Sequence, residues 1–178
     1  SLAGALTGSE EIIISSDLIV AGNHSISAAG LVSISGDINS DAGNHRALSL
    51  NSGGRVTLNA VGNTDALSGL TVASSGALVQ GDVMAYAQDW TGAGSITITG
   101  NRHLDASGGA GDINLTGTSI VRTAGSDSLT LTGQSTDTIS LGTVGATAAA
   151  LGSLSIGGGV VRITGDVFAA AQDYSNAD

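Results

Sequence analysis

Six side chains have types and spacing that suggest chemistry: Asp82 and Asp89, their counterparts Asp166 and Asp173, and the rings Trp90 and Tyr174, each of which follows a Gln-Asp pair. Two neighbouring carboxylates are what acid–base cleavage of a polysaccharide requires, together with a cation to stabilise developing negative charge. The same aspartates, joined by turn carbonyls, are the hard oxygen ligands that calcium takes. An exposed Trp or Tyr offers a flat apolar face to a sugar ring.

Each feature also has a plainer reading, and the plainer readings are preferred. An Asp beside glycine or near a strand end bonds local backbone amides in a turn. A ring that recurs at one repeat position shields a corner where the chain changes direction. An active site needs a single acid cluster, whereas these acids occur in both copies of a repeat. No catalytic residue, cofactor or metal ligand is therefore expected. Trp90, Tyr174, Asp89, Asp173, Asp82 and Asp166 remain as candidates for contact with carbohydrate or another surface. A calcium-stabilised solenoid passenger domain and a polysaccharide-active β-helix enzyme are the alternatives.

Other motifs carry less. Gly108–Leu115, GGAGDINL, is similar to a calcium-binding glycine–aspartate nonapeptide, but it is one residue short and does not recur in tandem, so a turn is expected. His24, His45 and His103 are scattered and lack zinc-type spacing. Asn23-His24-Ser25 and Asn114-Leu115-Thr116 fit the N-glycosylation pattern. Threonine alternation, as at Thr97 and Thr99, does not recur at one fixed position, which argues against an ice-binding face.

The elements that place these residues come from an internal repeat. Ala66–Trp90 aligns without a gap to Ala150–Tyr174, with ten of twenty-five positions identical. The match continues at slightly smaller offsets, Leu18–Gly30 with Ile96–Gly108 and Val56–Thr64 with Ile139–Thr147. Residues 1–178 thus read as one segment holding two tandem copies, approximately 10–92 and 93–178. Within each copy run short alternating segments such as LVSIS, RVTL, SITIT and SLTLT, separated by Gly, Asn, Asp or Ser. GATAAALG and VFAAAQDY fit either a short helical turn or a strand.

Composition narrows the architecture. Hydrophobic residues make up 41% of the chain and aromatic ones only 2%, so the core is aliphatic and repetitive rather than ring-rich. Twenty-eight glycines without proline, and without a triplet period, exclude a collagen-like chain. The net charge of −10, with five arginines and no lysine, argues against nucleic acid and anionic membranes as partners. No apolar run approaches the roughly 18 residues of a membrane-spanning helix. The absence of cysteine excludes disulfides and thiol chemistry and is compatible with export through an oxidising compartment.

Strands this short, with so few bulky residues, fit a parallel β-helix better than a sandwich: each strand pairs with its equivalent one turn later, and like residues stack in columns. At about 20 residues per turn the chain makes about nine coils, and each copy holds about four. A whole number of turns per copy is expected, since the columns otherwise fall out of angular register. Neither end carries a capping segment, so an internal piece of a longer array is expected.

The segments SITITGN, DINLTG and SLTLTG, the Gly-Asn pairs at Gly22-Asn23 and Gly100-Asn101, and the GDV at Gly81 and Gly165 resemble the haemagglutination-type repeats of the filamentous haemagglutinin family of two-partner-secretion adhesins. That resemblance implies a right-handed parallel β-helix, a secreted or bacterial cell-surface location, and an outer-membrane secretion partner for the parent protein. It also implies a place in the shaft of a surface or biofilm-matrix fibre. Neighbouring repeats of the same chain, and extracellular glycan, matrix polysaccharide or a host or cell surface, are the partners it implies. The family's amino-terminal secretion domain has no counterpart in this sequence.

Overall fold

The computed structural model describes residues 1–123 and 125–177. Among them the regular elements are all β-strands, and the strand pairings are all parallel. The chain winds as a β-solenoid with three faces. The first turn is β1 (Leu6–Gly8), β2 (Ile12–Ile14) and β3 (Leu18–Val20); the second is β4 (His24–Ala28), β5 (Val32–Ile34) and β6 (Ile38–Ser40). The third is β7 (Ala47–Ser52) and β8 (Arg55–Leu58), closed by Val61. The fourth is β9 (Leu67–Ser74), β10 (Gly76–Val79) and the start of β11 (Val83–Ala93).

The rest of β11, with β12 (Ser95–Ile98) and β13 (Arg102–Asp105), makes the fifth turn. From the sixth turn a single strand bends across the first two faces. This is seen in β14 (Ile113–Arg122), followed by β15 (Leu129–Thr132), and again in β16 (Thr138–Val144), followed by β17 (Leu151–Gly157). The eighth turn is β18 (Val160–Ile163), Val167 and β19 (Ala169–Asn176).

Eight turns rather than nine result because the turns are longer than expected. Paired residues lie 18 positions apart at the tightest, as from Leu67 to Ala85, and 27 apart from Leu104 to Leu131. At the spacing of adjacent strands the stack is roughly 38 Å long.

Alternation explains why these segments are strands. In β5, β12 and β15 the Ile, Val or Leu side chains are buried and the residues between them half-exposed. Buried positions form columns: Leu18–Ile38–Val61–Val83–Leu104–Leu131–Ile156 on the third face and Ile12–Val32–Val56–Ala77–Ile96–Ile120–Val144 on the second. The two alanine-rich segments do not form helices. Ala146 and Ala149 close a turn through the Ala149 N–H to the Ala146 carbonyl at 2.9 Å, while Ala169 and Ala171 pair with Leu151 and Ser153 in β19.

The repeat does not span a whole number of turns. The pairing of β9 with β11 is reproduced, 84 residues later, by that of β17 with β19, down to the bulge after Asp89 and after Asp173. Yet β9 stacks on β7 in the first face, whereas β17 stacks on β15 in the third. One copy is therefore three and two-thirds turns, and the second copy is rotated by one face. The columns survive because each face presents the same kind of inward residue, a small or branched aliphatic, so a strand fits any of the three.

Glycine has a steric role at the corner before the third face. A Cβ on Gly81 would lie 2.3 Å from the Ala60 nitrogen, and one on Gly36 2.3 Å from the Ser16 carbonyl carbon. Successive turns touch backbone to backbone there, which only glycine permits.

Candidate functional site

The four candidate aspartates are not paired with one another. Asp82 precedes the third-face residue Val83, and its carboxylate accepts the His103 N–H at 3.0 Å, with Arg102 Nη1 at 3.6 Å. Asp89 lies in β11 on the first face and accepts the Thr91 N–H (3.0 Å) and hydroxyl (2.7 Å). Asp173 repeats this in β19, accepting the Ser175 N–H at 2.9 Å, and its contacts with Ser175 lower its carboxyl below the usual range. Asp166 is exposed, and its carboxylate has no hydrogen-bond or ion-pair partner among the described residues. Asp89 and Asp173 are therefore local turn residues. Asp82 is different: the amide it holds belongs to the next turn.

That pattern is general. Asp17 accepts the Asp37 N–H (3.0 Å), Asn23 that of Ala47 (2.9 Å), Asn101 that of Ser128 (3.1 Å) and Asp112 that of Thr138 (2.7 Å). Each acceptor sits just before a strand, and each donor lies one turn further along. The Asp or Asn side chain satisfies a corner amide that the ladder leaves open. A partial signal stands in the sequence as an Asp directly ahead of some apolar runs, in SDL, GDI and GDV, although runs such as RVTL and SITIT lack it. Both glycosylation-type asparagines are engaged in this way or locally, since Asn114 accepts the Thr116 N–H at 3.2 Å.

Trp90 takes the corner-shielding place rather than that of a surface contact. It is fully buried at the bulge between Asp89 and Gly92, so its ring has no face free for a sugar. Its indole N–H points to the Gln88 side-chain oxygen at 3.4 Å, and Gln88 is itself buried, its amide donating to the Asp105 carbonyl one turn on (3.1 Å). Tyr174 keeps the same relation, its hydroxyl donating to Gln172 Oε1 at 2.8 Å. In the eighth turn, however, that ring is only half-buried, and its burial pushes the phenol pKa upward. A packed corner, with the Gln two residues earlier as its polar partner, accounts for both rings.

Sequence reasoning did not anticipate a clamp on one side of the solenoid. Tyr86 packs against His45 with ring centroids 4.8 Å apart and the rings tilted by 43°, and its hydroxyl lies 3.0 Å from His45 Nε2. Gly108 and Gly109 fold over the ring so closely that a Cβ on either would come within 2.6 Å and 2.4 Å of it. The counterpart of Tyr86 is Ala170, so the clamp belongs to one copy only. Beside it, the Arg46 guanidinium bonds Asp41 at 2.9 Å, holding that carboxyl below its ordinary value and raising the Arg46 pKa.

Concave surface is concentrated on the outer side of the first face. Three clefts of about 520, 400 and 310 Å³, open to solvent, lie along β1, β4, β7, β9, β11 and β14. The second and third are floored by a ladder of one outward residue per turn, Ser25–Ser49–Thr71–Asp89–Asn114, with Ala47 and Gly69 beside it, and the first by the neighbouring row Thr7–Ser27–Asn51–Ala73 with Gly92 beside it.

No family model, curated protein or solved structure matches the chain.

The geometry bears directly on what these groups can do. Asp82, Asp89 and Asp173 are each committed to amides or hydroxyls, Asp166 stands alone among the described residues, and Asp82 and Asp89 sit on different faces, so no acid–base pair is assembled from the candidates. Among the described residues no three His, Cys, Asp or Glu side chains converge as a metal cage would require. Among the described residues no helix is long and apolar enough to cross a membrane. What the arrangement does offer is an unbroken polar face, repeated turn by turn on an aliphatic stack.

Proposed function

We propose that this chain is a structural and adhesive repeat module, a stretch of the stiff shaft of a secreted bacterial surface or biofilm-matrix adhesin. The observation that carries the reading is the parallel register held through eight turns around one continuous apolar core. In such a stack each turn is braced by its neighbours, so the product of the sequence is length and stiffness. The role is non-catalytic. Its surface, acidic overall and polar between the columns, keeps the rod soluble and meets extracellular glycan, matrix polysaccharide or a cell surface. Export through an outer-membrane partner belongs to the same proposal and is supported by the sequence resemblance alone.

Solution scattering tests the mechanical part. Two copies of the chain joined head to tail should scatter as a rod longer than one copy by roughly 38 Å at unchanged cross-section, and growth into a compact particle would overturn the shaft reading. Incubation with acidic and neutral polysaccharides tests the non-catalytic part, with no new reducing ends or unsaturated products expected. Turnover that disappears in Asp82→Ala would reverse it.

A further inference from the structure

Charge is sparse on the outer side of the first face over the first four turns. The chain carries −10 overall, yet no outward residue of β1, β7 or β9 is ionisable; in β4 the half-exposed His24 lines the second cleft, and the next strand, β11, brings Asp89 onto the ladder. The polar groups there are Thr7, Ser25, Ser27, Ser49, Asn51 and Thr71, and none of their side chains has a hydrogen-bond partner among the described residues. This contrasts with the corner Asp and Asn residues, which are tied to backbone amides of the next turn. Free hydroxyls and an amide thus stand in two adjacent rows at the strand spacing, over the first two clefts, whose flanks are largely Ala and Gly; the third cleft, lined by Asp89 and Asp112, marks where this uncharged stretch ends.

We infer that this trough is a binding site for an uncharged polysaccharide lying along the solenoid axis. The inference deepens the adhesive reading and rests on it for its biological setting. A linear neutral glycan presents hydroxyls along its whole length, each both donor and acceptor, and so matches a row of groups that are donors and acceptors themselves. The small flanking residues let a sugar ring approach the sheet closely. Charge selects the ligand: a polyanion is repelled by the molecule as a whole and finds no Lys or Arg along the clefts to offset that repulsion. Each contact is weak, because hydroxyl–hydroxyl bonds replace bonds to water. Affinity comes from the number of turns engaged along one chain.

The test is affinity electrophoresis of the whole chain through gels containing dextran, a mixed-linkage β-glucan or a galactomannan, with alginate as the charged arm. Retardation by at least one neutral polymer and none by alginate is expected. Ser49→Glu and Thr71→Glu place charge on the ladder without entering the core and should weaken retardation roughly tenfold, the equivalent of losing one or two good hydrogen bonds. Thr97→Glu, outward on the second face, should leave it unchanged, and circular dichroism should show all three variants folded. Absence of retardation by every neutral polymer overturns the inference. So does retardation that survives Ser49→Glu and Thr71→Glu together, or preferential retardation by alginate. The scattering experiment is independent: a rod that binds no glycan keeps the shaft and loses the trough, and a compact particle that binds glycan does the reverse.

Discussion

Gln88 stands in a column with Leu48, Leu70, Ile113 and Ile139 and is as buried as they are. An amide is tolerated there because its nitrogen reaches carbonyl oxygens and its oxygen receives the Trp90 N–H. Gln88→Leu should cost about 1–3 kcal/mol, since it leaves the buried indole N–H without an acceptor. The double variant Gln88→Leu/Trp90→Phe removes both partners and should recover part of that loss, read as a positive coupling in denaturant midpoints. Charge at the surface gives a second residue-scale outcome. Arg46 depresses the Asp41 carboxyl below its ordinary 3.8, so the pair stabilises the fold above that value and its contribution is lost as pH falls through the lowered one. An NMR titration should place the Asp41 midpoint below 3.8, and Arg46→Gln should move it upward.

Corners, more than strands, decide how well one turn is joined to the next. Asp82→Ala removes the acceptor of the His103 N–H and should cost about 1 kcal/mol. Asp166→Ala, at the same repeat position but without a partner, should change stability by less than about 0.5 kcal/mol. Equal losses in chemical denaturation would mean that the inter-turn bond contributes nothing. The sequence made the strands legible because alternation is local: SITIT or SLTLT needs only its own residues to declare an inward and an outward side. The corner bonds were not legible in the same way. Asp82 and Asp89 look alike in the sequence, each one step from a Gly or a Gln, but one bonds an amide 21 residues on and the other an amide two residues on. Trp90 was equally ambiguous, because a ring at a corner can face in or out, and only the buried Gln88 beside it gives the indole a reason to turn inward.

At the level of the whole molecule, stacking tolerates a repeat that is out of phase with the turns. The copies share their internal pairing but lie on different faces, and turn length varies with the loops, which is why dividing the chain by a fixed 20 residues overcounted the turns. A strand in this solenoid is thus specified by its inward aliphatic pattern and its register to the previous strand, not by the face it occupies. Deleting residues 67–150, so that Ala66 runs directly into Leu151, puts this to work. β17 would then follow the third turn and meet β7, with Leu154 and Ile156 falling where Leu70 and Val72 pair with Leu48 and Leu50. β19 would cover it in the register that β11 has on β9. The shortened chain should remain monomeric, keep a β-rich circular dichroism spectrum and unfold cooperatively, with amide protection in the segment derived from β17. If faces are instead individually specified, the same deletion yields an aggregated or unfolded chain, because the transplanted strands would carry third-face residues into a first-face slot that rejects them.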